Sequence, residues 1–137
     1  LTNKSFFAIM YITNKIKGLK MGLDMTAYAV DPTADNTQEP TKLAEWRKHP
    51  NLHGWMEQLY REKGGTEEQF NCVDVELTEA DLNKLFEAVC LGRLPDTTGF
   101  FYGDDADDFY KQNDKFFVKD ALEAIAKGMK VYYTSWW

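Results

Sequence analysis

Hydrophobic and polar positions along the chain change period several times, and each change predicts an element. From Gly22 to Val30 (GLDMTAYAV) the residues alternate, with Leu23, Met25, Ala27 and Ala29 on one side, the two-residue period of a half-buried strand. Asp31 to Pro40 carries two prolines and little that can be buried, which predicts a loop. From Thr41 the pattern reads as helical, with Thr41 as N-cap for KLAEWRK, and the helix must stop before Pro50, whose ring would clash with the Trp46 carbonyl. A second helix then starts with His49 near its N-cap and Pro50 in its first turn; Leu52, Trp55, Met56, Leu59 and Tyr60 form its buried stripe and Gly64-Gly65 ends it. Phe70 to Leu77 alternates again and predicts a strand.

Thr78-Glu79-Ala80-Asp81 is close to a capping box, followed by Leu82, Leu85, Phe86 and Val89 on one helical face and a stop at Gly92. A further helix is predicted over about 105–127, continuous or broken near Asn113, with Asp104, Asp105, Asp107 and Asp108 at its start, where the helix dipole favours acids. Lys130 to Trp137 (KVYYTSWW) has the β-branched and aromatic composition of a final strand. Together these elements predict one α+β domain: a small, mainly antiparallel sheet of about three strands (near 23–30, 70–77 and 130–136) packed against four or five helices (near 42–48, 51–63, 79–91 and 105–127). Residues 1–20 are read as an extension ahead of the domain at 21–137, an upstream reading frame or a poorly ordered segment, because the chain opens on Leu and a natural-looking start follows at Met21.

Composition agrees with one core: 137 residues, 44% hydrophobic and 15% aromatic. The formal net charge is −6, but Lys4, Lys15, Lys17 and Lys20 all precede Met21 with no acid among them, so residues 21–137 carry 12 basic against 22 acidic residues, a net of −10. Such a surface repels phosphate backbones and anionic lipid, which argues against nucleic-acid and membrane partners. The apolar run Phe6 to Ile12 is too short to span a bilayer. Cys72 and Cys90, with no CxxC, read as small core residues in a reducing compartment, hence a cytoplasmic setting.

Groups that titrate near neutrality concentrate in Glu45 to Tyr60, which holds both histidines. Glu45, His49 and His53 are spaced four apart, as metal ligands on a helix would be, but Pro50 interrupts that geometry and no HExxH is present, so neither metal nor cofactor is expected. Glu45, Arg47 and His53 form the candidate polar site, with a carboxylate able to orient a histidine for acid-base work. The bland alternative is an internal ion pair and a histidine bonded to a carbonyl. No nucleophile is evident: no GxSxG surrounds Ser135, and no phosphate loop or dinucleotide fingerprint is present. The acidic run lacks the spacing of a calcium loop. The aromatic set includes Phe101, Tyr102, Trp136 and Trp137, and any part the core cannot hold becomes a candidate binding surface.

The motifs MGLDMTAYAV, EWRKHPNLHGWM, FNCVDVELTEADL, TGFFYGD and VYYTSWW, from Met21 to the end, resemble a family of small uncharacterised bacteriophage and bacterial proteins. Relatives open MGLDM, carry a WRKxxxLH core matched by Trp46, Arg47, Lys48, Leu52 and His53, and have a GFF segment matched by Gly99, Phe100 and Phe101. Some carry the name phosphoglycerate kinase, a much larger enzyme whose nucleotide-binding motifs are absent here. The resemblance implies a phage or host-cytoplasm setting and no particular reaction. The expected role is a non-enzymatic accessory protein that binds a host or phage macromolecule; the rival is a small enzyme or ligand-binding protein with a Glu45/Arg47/His53 pocket lined by aromatics.

Overall fold

A computed structural model describes residues 22–34, 39–97 and 106–137. Four strands, β1 (Asp24–Val30), β2 (Thr41–Arg47), β3 (Val75–Leu77) and β4 (Lys130–Trp136), form one sheet in the order β2-β1-β4-β3, with every neighbouring pair antiparallel. Three helices accompany it among the described residues: α1 (Pro50–Glu62), α2 (Glu79–Cys90) and α3 (Ala106–Ala126). The architecture is the expected α+β class, with a fourth strand where a helix was predicted.

That strand is β2. Between Pro40 and Pro50 a helix could make barely two turns, too few to offset its nucleation cost. As a strand the same residues complete the hydrogen-bonding row of β1, and they turn Trp46 into the core, where it is 1% exposed. Pairing outside the local segment overrides the helical propensity of KLAEWRK. Among the described residues β2 is an edge strand, and it is blunted: the register slips between Ala27 and Tyr28, Lys42 and Glu45 stand in water as an ion pair at 3.3 Å, and the Tyr110 hydroxyl accepts from Arg47 N (3.0 Å) and donates to Arg47 O (2.8 Å).

The strand expected over 70–77 shortens to Val75–Leu77, because Cys72 takes φ 61 and breaks the extended run, although its N–H still donates to Ser135 O at 2.8 Å. The helix over 105–127 is unbroken at Asn113. Other signals hold. His49 is the N-cap of α1 with Pro50 at its start, and Thr78 and Asp81 close both bonds of a capping box.

The main core lies between the helices and the sheet face formed by Met25, Ala27, Trp46, Val75, Val131 and Tyr133, with Leu52, Met56, Leu82, Leu85, Phe117 and Val118 from the helices against it. Trp46 and Phe117 meet edge to face at 5.1 Å. A smaller cluster of Tyr28, Tyr132 and Val30 sits on the opposite face, where among the described residues no helix packs. No described helix is long and apolar enough to cross a membrane.

Candidate functional site

The structure separates the three residues of the candidate polar site. Side chains alternate along β2, so Trp46 entering the core sends Glu45 and Arg47 out of the opposite face. Glu45 is exposed beside Lys42, and Arg47 Nε lies 3.1 Å from Oδ1 of the buried Asp24. His53, on α1, is buried on the helical side, its Nδ1 2.6 Å from the Tyr133 hydroxyl and its ring 4.9 Å from Phe70. Burial pushes the His53 pKa down to about 4, a hydrogen bond to the Phe70 backbone opposing only part of the shift. The ring is therefore neutral at pH 7 and bridges α1, β4 and the Phe70 segment. Arg47 and His53 serve opposite faces of the sheet, so the expected Glu45/Arg47/His53 pocket does not form.

A different polar constellation does form, around His49. Lys48 takes φ 57 and turns the chain sharply at the end of β2, so His49 enters the interior with no exposure at all. Its side chain makes no cap bond to α1 and instead places Nε2 2.9 Å from Asp114 Oδ2, while the other oxygen of Asp114 accepts from Trp46 Nε1 at 2.8 Å. Asp107, Tyr110 and Asp114 stand three and four residues apart along α3, so they share a stripe facing His49. Tyr110 stacks on the imidazole at 4.9 Å, and Asp107 Oδ1 lies 3.6 Å from His49 Nδ1. Asn51 Nδ2 donates to Asp107 Oδ2 at 3.0 Å, and Asn51 Oδ1 accepts from Thr97 N at 2.8 Å. Gly54 permits this last contact, since a Cβ there would collide with the Thr97 hydroxyl.

The sequence reading passed over Asp114. It occupies a core position of the α3 stripe, and an acid at such a position requires partners. That signal was present, but nothing local indicated that the partners lie 65 and 68 residues away.

On the opposite sheet face, Tyr28 and Tyr132 stack at 5.7 Å near Asp74. Burial, joined by the Asp74 carboxylate, raises the Tyr28 phenol far above its ordinary range, and burial with Glu76 and Asp74 raises Tyr132. Cys72 is only partly buried, yet burial and Asp74 raise its thiol to about 11, which keeps it protonated and a poor nucleophile.

Of the expected binding surface, Phe101 and Tyr102 lie outside the described residues. Trp136 is half-buried, and Trp137, 39% exposed, is pinned by its indole N–H donating to Phe70 O and by its backbone bonding Asn71. Among the described residues the most exposed large apolar side chains are on α3: Phe109 at 76% and Phe116 at 61%. The four-stranded sheet and its helices define an α+β protein with a buried His-Asp network. No protein-family model, curated protein or solved structure matches the chain.

Proposed function

We propose that this is a binding protein, an accessory factor of phage type working in the host cytoplasm, that docks onto a host or phage protein through α3. The observation that carries the reading is the pair Phe109 and Phe116. Seven residues apart, they project from one side of α3, and they remain in water although each offers enough apolar area to anchor an interface. The acidity of residues 21–137 favours a protein over a nucleic acid as partner. The motif resemblance supports the phage setting, and the separation of Arg47 from His53 takes away the pocket on which the enzymatic alternative rested.

The test compares affinity capture from host or phage-infected lysate by wild type and by a Phe109→Ser, Phe116→Ser double variant. Both side chains are exposed, so the variant keeps its fold. The expected outcome is a partner enriched by wild type and lost from the variant; equal recovery by both excludes α3 as the docking element.

A further inference from the structure

We propose that His49 and Asp107 form a binding point for a divalent transition-metal cation of the zinc class, where the end of β2, the start of α1 and the first turn of α3 meet. His49 Nδ1 is buried and has no hydrogen-bond partner among the described residues; it faces Asp107 Oδ1, which is shielded and equally without one. Their separation of 3.6 Å is long for a hydrogen bond. It suits two ligands of one ion: bonds of about 2.1 Å at a tetrahedral angle set the ligand atoms about 3.4 Å apart.

The surroundings hold both groups ready. With the ring N–H on Nε2 directed to Asp114 Oδ2 at 2.9 Å, the Nδ1 lone pair is left for a cation, the carboxylate-imidazole-metal arrangement that fixes ring orientation and raises ligand basicity. Trp46 in turn holds Asp114, and Asn51 occupies Oδ2 of Asp107, leaving Oδ1 to the ion. The Asp107 side chain is 38% exposed while Oδ1 itself is shielded, so the pair lies just beneath the surface. One imidazole nitrogen with one carboxylate oxygen favours zinc or cobalt over calcium and magnesium, which prefer all-oxygen shells.

Among the described residues no three His, Cys, Asp or Glu side chains surround a common point. The described residues therefore supply two ligands, and on these two alone binding is weaker than at a four-ligand structural zinc, with exchangeable positions.

The test titrates the untagged full chain with zinc chloride, reading Tm and the ring-nitrogen NMR shifts of His49 and His53. Expected are a rise of roughly 5 °C at saturating zinc, a shift of His49 Nδ1 with His53 unmoved, and affinity more than about tenfold weaker in Asp107→Asn. The NMR readout needs no variant, so it decides the matter even where Asp107→Asn folds poorly. An unmoved His49 Nδ1 at saturating zinc overturns the proposal, as does equal affinity in a folded Asp107→Asn protein.

Discussion

The two histidines, four residues apart, are both buried, yet their neighbours give them different chemistry. His53 leans on the Tyr133 hydroxyl and the Phe70 backbone, and desolvation by burial is the largest influence on its titration. Its pKa of about 4 when folded lies below the ordinary 6.5, so between those values the unfolded chain takes up a proton that the folded one refuses. Stability from this group is complete above about pH 6.5 and drains away as pH falls toward 4, by about 3 kcal/mol at most. Urea unfolding across that window should show the slope in wild type and a flatter one in His53→Gln. His49 faces carboxylates at both ring nitrogens, and Asp114 also satisfies the Trp46 indole. Asp114→Ala leaves both Trp46 Nε1 and His49 Nε2 without acceptors in the interior and should lower unfolding free energy by about 3 kcal/mol; a loss under about 1 kcal/mol would mean that the network carries little of the fold. Pro50 made the cap position of His49 legible from the sequence. The destination of its side chain was not legible, because it depends on a helix whose closest approach in sequence is more than fifty residues away.

Elements bounded by local chemistry were legible, and those decided by pairing were not. The Thr78–Asp81 box, Pro50 at the start of α1 and the turn at Gly92 each satisfy backbone groups with residues a few positions away. The box also anchors Lys63, whose Nζ donates to Asp81 Oδ2 and to Glu76 O, both at 2.6 Å, tying the end of α1 to β3 and α2. Burial alone would raise the Asp81 carboxyl, but Lys63 and Thr78 outweigh it and hold it below the ordinary range. Thr78→Ala should cost about 1 kcal/mol in chemical denaturation, and an unchanged midpoint would show that Lys63 alone secures this corner. By contrast β2 is helical in propensity and extended in fact, since only the unpaired side of β1 decides the matter. Cys72, with φ 61, shortened β3 in a stretch whose alternation gave no warning.

For the molecule as a whole, the sheet divides two environments. Helices bury the apolar face around Trp46 and Tyr133, while the other face carries the Asp24–Arg47 pair and the stacked Tyr28 and Tyr132. Composition predicted the large core and the acidity, but not which aromatics would be left over. Trp46, the Trp nearest the candidate site, went inside, and phenylalanines of α3 stayed in water. A folded protein that keeps two phenylalanines of one helix exposed most directly invites a test of what covers them. That measurement is site-specific photo-crosslinking from position 116, with position 84 on α2 as the exposed control, in cells where the protein acts. A single discrete adduct from position 116 and none from 84 is the predicted result; no adduct at 116, or the same diffuse products from both, would contradict a docking role for α3.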